Sequence, residues 1–160
     1  MSPTRDNLRI QQIVSAQINA DVVTVSYAVA CARAKEFRAV VVIAGGQLSG
    51  CAGGNDPIAY MGIHGISDGT LNIGGGRVMR DKFVKNNGCA ATNAPEPSKG
   101  SGKHVKTEFT GCKTGYPLTW IAHDGGHWPG AVDNGPESGA KSWVPGEIWS
   151  FFTQAQLKSS

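Results

Sequence analysis

The chain has 160 residues, 40% of them hydrophobic and 17% charged, enough for one domain with its own core and too apolar for a disordered tail. Its formal net charge of +3 is spread from Arg5 to Lys158 with no basic run, so no nucleic-acid stripe and no polybasic membrane patch is expected. Twenty-two glycines, about twice the ordinary share of roughly 7%, gather in clusters such as Gly45-Gly46, Gly74-Gly75-Gly76 and Gly125-Gly126, and these predict many tight turns.

From Ile10 to Ala34 apolar residues recur at helical intervals (Ile10, Ile13, Val14, Ile18, Val22, Val25, Val29). The β-branched run "DVVTVSY" leaves the first half ambiguous, and "SYAVACARAKEF" carries the helix. Next, "FRAVVVIA" from Phe37 to Ala44 is a continuous apolar run stopped by Gly45-Gly46, the pattern of a buried parallel strand. "PIAYMGIHG" from Pro57 to Gly65 reads as a second one. A helix is predicted over Asn72 to Asn87, with Val78, Met79, Phe83 and Val84 on its apolar face and Gly88 as its C-terminal stop. After a surface loop from Asn93 to Lys103, "HVKTEFTG" alternates and "YPLTWIAHD" forms an apolar run, so the two are expected to pair across the "GCKTG" turn. "SWVPGEIWSFFTQAQL" then begins a last helix at Pro145, with Ile148, Trp149, Phe152 and Leu157 toward the core.

This order predicts an α/β fold, a mostly parallel sheet with flanking helices, whose function sits in loops after the C-terminal strand ends. Two loops qualify: "HGISDGTL", offering Asp68, and "HDGGHWPG", offering His127. Acid before histidine is the chain order of an α/β-hydrolase triad, in which the carboxylate orients the imidazole and the imidazole moves the proton. The competing reading of Asp68 is an Asx-turn or helix cap, common in sequences like "SDGTLN". His127 follows two glycines and precedes Trp128-Pro129, so its backbone is turned and then stiffened. His123 and His127 as a metal pair are disfavoured by the glycines between them, and no metal or cofactor is expected. His64 reads as a structural histidine that hydrogen-bonds the loop. Trp120, Trp128, Trp143 and Trp149 are most simply packing residues, Trp128 alone being placed to line a substrate pocket.

The triad's nucleophile should sit on a G-x-S-x-G elbow before the first of these strands, and the expectation is that the sequence holds no such motif: "GQLSG" has its serine in the wrong register, Ser15 and Ser26 lack flanking glycines, and the nucleophile is unassigned. Cys31, Cys51, Cys89 and Cys112 lack zinc spacing and allow three disulfide connectivities, of which Cys31 to Cys51 and Cys89 to Cys112 bracket compact units. Disulfides imply an oxidising setting, whereas residues 1 to 25 carry no apolar core of signal-peptide length.

The segments "SYAVACARAKEFRAVVVIAGGQLSGC", "PIAYMGIHGISDGTLNIGGGRVMRDKFVKNNGC", "TGCKTGYPLTWIAHDGGHWPGAVDNG" and "GAKSWVPGEIWSFF" resemble the C-terminal part of secreted fungal feruloyl esterases, in the group of polyhydroxybutyrate depolymerases and acetyl xylan esterases. The resemblance runs from about Ser26 to Phe152, so residues 1–25 stand apart as a divergent segment and 26–160 as the hydrolase-like part. It implies an extracellular serine esterase acting on feruloylated plant polysaccharide or small hydroxycinnamate esters, with His127 as base and Asp68 as acid. The family's elbow would fall where "INADVV" stands, and earlier strands would lie upstream. For the 160-residue chain itself the expectation is therefore a non-catalytic remnant that at most binds an aromatic or sugar ligand near Trp128. The strand "FRAVVVIA" would then show a bare edge, and dimerisation or poor solubility would follow.

Overall fold

An unbroken run such as Ala39-Val40-Val41-Val42-Ile43 has no polar face to turn to water, so it is stable only where both sides of a sheet are covered. That is where it lies. The structure, a computed structural model, describes residues 12–15 as backbone, 27–46 apart from 29, 54–135 apart from 129, and 141–157. Five strands, β1 (Gln12–Ser15), β2 (Ala39–Ile43), β3 (Ala59–Gly65), β4 (His104–Glu108) and β5 (Leu118–His123), form one sheet in the order β1-β2-β3-β5-β4. All neighbours are parallel except β4, which runs antiparallel to β5 at one edge. Every residue of β2, β3 and β5 is buried.

Alternation divides those residues between two cores. On one face Val40, Val42, Tyr60 and Trp120 pack with Met79 and Phe83 of helix α1 (Ile73–Asn87). On the other, Val41, Ile43, Met61, Ile63 and Ile121 pack with Phe151, Phe152 and Ala155 of helix α2 (Val144–Leu157). Gly62 sits beside Trp120 in the β3–β5 register, and a Cβ there would lie 2.6 Å from the indole. The missing side chain is what lets the largest residue of the core lie across β3.

Helix α1 starts where Asn72 caps it, its side chain accepting from Gly74 N at 2.8 Å, and ends at Gly88, in the left-handed region at φ 67°. Its stop was legible in the sequence, and so was its face at Met79, Phe83 and the partly buried Val84, but not at Val78. The buried stripe is Ile73, Gly76, Met79, Phe83 and Asn86-Asn87, and Val78 is 65% exposed. Trp149 likewise points to solvent, while Phe151 joins Phe152 in the core; the side chain of Leu157 lies outside the described residues. Within the Ile10–Ala34 stretch, Gln12–Ser15 is strand and residues 27–28 and 30–32 are helical, while the run "DVVTVSY" lies, but for Tyr27, outside the described residues. The bare edge expected on β2 is also corrected: Gln12–Ser15 pairs with Ala39–Val42 along it.

Cys89, just beyond α1, is bonded to Cys112 in the β4–β5 turn, the pairing expected. The other pairing, Cys31 to Cys51, ends on a residue outside the described ones. Among the described residues no helix is long and apolar enough to cross a membrane.

The last residue of α1 fixes the start of β3. Buried Asn87 accepts from Ile58 N at 3.1 Å and donates to Ile58 O at 2.8 Å and Tyr116 O at 3.1 Å. Removing that amide strands backbone groups in an apolar interior, so Asn87→Ala is expected to cost about 3 kcal/mol, read from urea unfolding; a cost below about 1 kcal/mol would show that the strand start is held by other means.

Candidate active site

Parallel pairing of β3 with β5 ends at Gly65 opposite His123, which releases two loops side by side from one edge of the sheet. They stay joined. Ile66 N donates to His123 O at 2.9 Å and Ser67 N to Gly125 O at 3.0 Å. Gly65 faces the carbonyls of Gly125 and Gly126 so closely that a Cβ would overlap both oxygens. The glycines legible as loop residues thus act as a contact between two backbones.

Asp68 lies in the first loop, its side chain fully buried. Oδ1 accepts from Thr70 N and Leu71 N, each at 2.8 Å, which is the Asx-turn chemistry that a bland reading of "SDGTLN" expects. Oδ2 faces the other way and meets His127 Nδ1 at 2.7 Å. One carboxylate does both jobs. Because an ionised carboxylate only accepts, His127 carries its hydrogen on Nδ1 and presents a lone pair at Nε2. That nitrogen is buried and has no hydrogen-bond partner among the described residues. The imidazole is 18% exposed, and Trp128 beside it is 51% exposed.

The second loop is also gripped from outside. Asp124 N donates to Lys103 O at 2.9 Å, and its carboxylate accepts from Gly102 N at 2.7 Å, a bond that holds the Asp124 carboxyl below the usual range. Asn134 N then donates to Gly102 O at 2.7 Å, and His104 joins Asp133 at 2.8 Å while stacking on Trp143 at 4.1 Å between ring centres. The chain therefore enters and leaves the His127 loop through the same short stretch, residues 102–104.

His64 is the structural histidine expected, its Nε2 2.8 Å from Leu71 O. Burial, foremost, pushes its pKa down, with the Leu71 bond and Asp68 opposing. His123 ends β5 and does not join His127; among the described residues no group of His, Cys, Asp and Glu could hold a metal ion.

The expectation that the sequence holds no G-x-S-x-G motif is corrected by the first loop itself. Gly65-Ile66-Ser67-Asp68-Gly69 spells G-x-S-x-G, after a strand and ahead of a helix. Its geometry is not an elbow's. Ser67 is exposed, five residues separate it from the first residue of α1, and among the described residues only Ala44 and Asn134 are non-glycine positions with positive φ. The strained Ala44, φ 52°, ends β2 on the same sheet edge and left no mark in the sequence.

The structure is of the α/β class, a mostly parallel sheet with flanking helices, and it carries an acid and an imidazole joined by a short hydrogen bond at the C-terminal ends of β3 and β5. No family model matches the chain. Feruloyl esterase C of Emericella nidulans is 52% identical over 130 residues, 81% of this chain and 46% of that protein. Feruloyl esterase D of Neurospora crassa is 45% identical over 129 residues, 81% of this chain and 43% of that one, and a probable feruloyl esterase C of Aspergillus niger is 48% identical over 130, covering 81% and 46%. Over 81% of its length the chain is similar to the C-terminal portion of these fungal feruloyl esterases, and it spans somewhat less than half the length of the curated relatives it matches.

The packing of Gly65 against the second loop makes a sharp prediction. Gly65→Ala should destabilise the fold by about 2 kcal/mol, since rigid backbone and not a flexible side-chain end must yield. Thermal unfolding unchanged from wild type would show that the loops part freely.

Proposed function

We propose that this site is the acid–base half of a serine-type esterase of α/β-hydrolase architecture that cleaves hydroxycinnamate esters, ferulate among them, from plant cell-wall polysaccharide outside the cell. The observation that carries the reading is the buried Nε2 of His127, held in one tautomer by Asp68 and otherwise unpartnered among the described residues. The names of the relatives point to the ester, and the Cys89–Cys112 bridge suits a secreted protein. Residues 26–160 form the hydrolase-like part in this reading.

His127 Nε2 takes the proton from a serine hydroxyl as its oxygen bonds to the ester carbonyl carbon. Asp68 stabilises the imidazolium that results. That proton then passes to the leaving sugar oxygen as the ester bond breaks, leaving an acyl-serine. Water, deprotonated by the same nitrogen, attacks the acyl-serine and releases ferulate, and the proton returns to the serine. The described residues place no hydroxyl on Nε2, so the serine must come from elsewhere in the protein. Trp128, half exposed beside His127, offers a face for the hydroxycinnamoyl ring.

A second reading, an aromatic-binding protein without turnover, is favoured by the half-exposed Trp128 and by Ser67's exposure on a turn without positive φ. Methyl ferulate separates the two. Under the esterase reading His127→Ala lowers kcat/KM by about 10³-fold or more, and Asp68→Asn, which loses the tautomer, by a similar factor. Binding of methyl ferulate with no hydrolysis would leave the second reading standing, and hydrolysis unaffected by His127→Ala would contradict both.

A further inference from the structure

The acid–base scheme leaves His64 unused, although it stands against the same carboxylate. Its side chain is 1% exposed, and its Nε2 lies 2.8 Å from Leu71 O and 3.3 Å from Asp68 Oδ2. Both neighbours are acceptors with no hydrogen to give, so Nε2 carries one. The ring cannot swing away: Gly76 of α1 comes so near that a Cβ there would lie 2.6 Å from Nδ1, and Trp120 lies at 6.2 Å between ring centres. Burial keeps this imidazole neutral at neutral pH, so it adds no second cation to compete with a charged His127 for Asp68.

Leu71 ties the arrangement together. Its N–H donates to Asp68 Oδ1 while its carbonyl accepts from His64. The carboxylate accepts from three N–H groups, Thr70 and Leu71 on Oδ1 and His127 on Oδ2, and His64 Nε2, bonded to Leu71 O, stands 3.3 Å from Oδ2. We propose that His64 is a positioning residue for the acid, fixing through its Nε2–H both the Leu71 turn and the orientation in which Oδ2 meets His127. The proposal rests on the reading of Asp68 and His127 as acid and base. It extends the pair to a line of imidazole, carboxylate and imidazole, with only one imidazole reaching substrate.

The test needs no turnover. The proton on His127 Nδ1 gives a proton NMR resonance that reports the bond to Asp68 directly. His64→Gln keeps an N–H where Nε2–H stood, whereas His64→Met has nearly the same shape and no donor. The expected result is a downfield resonance shared by wild type and His64→Gln, and displaced or lost in His64→Met while the amide signals of β3 and β5 stay dispersed. His64→Phe, which keeps a ring, serves as a second donor-free variant if His64→Met does not fold. An unchanged resonance in the donor-free variants overturns the proposal, and so does equal displacement in His64→Gln, which would make the ring a mere filler. If the wild type shows the resonance and this pattern but does not hydrolyse methyl ferulate, the esterase reading fails and the positioning role stands. Where turnover is measurable, the donor-free variants lower kcat several-fold with KM little changed, and His64→Gln restores it.

Discussion

A carboxylate with no solvent contact is the constraint from which the functional edge of this protein follows. Burying a charge in an apolar interior costs several kcal/mol unless its lone pairs meet donors. Asp68 has no exposed side-chain surface, so the donors must come from protein. Two are supplied by its own turn, at Thr70 and Leu71, and they could form in any isolated loop. The remaining one is an imidazole, and His127 can only arrive from a loop 59 residues further along the chain. Burial of Asp68 thus demands that β3 and β5 be neighbours, that they run the same way, and that their loops touch.

The rest of the architecture meets that demand by packing. Sheet residues alternate between two cores, and both helices cover faces that would otherwise be wet. Small residues appear where backbones or large rings need room, Gly62 beneath Trp120 and Gly65 beneath the His127 loop. Asn87 ties α1 to the start of β3, and Gly102 ties the strand before the site to the segments on either side of His127. Rigid elements therefore hold a loop whose own sequence, rich in glycine, would not fix its course.

Much of this was legible in the sequence because the signals were local. The apolar runs of β2, β3 and β5 each run into glycine, at Gly45, Gly65 and Gly125, and the stop of α1 is one left-handed Gly88. Asp68 and His127 stood out because acid and imidazole fell after strand ends in triad order. The helix faces were less legible: periodicity alone favoured Val78 and Trp149, yet the facing sheet settles the buried stripe, and it selects Gly76 and Phe151. Strand β1 was hidden because Ile13 and Val14 fall at a spacing that also fits a helix. His64 was seen as structural, but its approach to Asp68 depends on the turn at Leu71, which no spacing encodes. The G-x-S-x-G pattern at Ser67 is the converse case, a motif without its geometry.

Kinship with fungal feruloyl esterases and a preformed acid–imidazole pair converge on one chemical claim, that His127 Nε2 activates a serine. Intact-mass spectrometry of the folded protein after exposure to a fluorophosphonate tests this most directly, because such a probe bonds only to a serine whose proton is being taken. The account predicts a single adduct on one serine, absent from His127→Ala. Folded protein that gains no adduct, or an adduct that persists in His127→Ala, would contradict it.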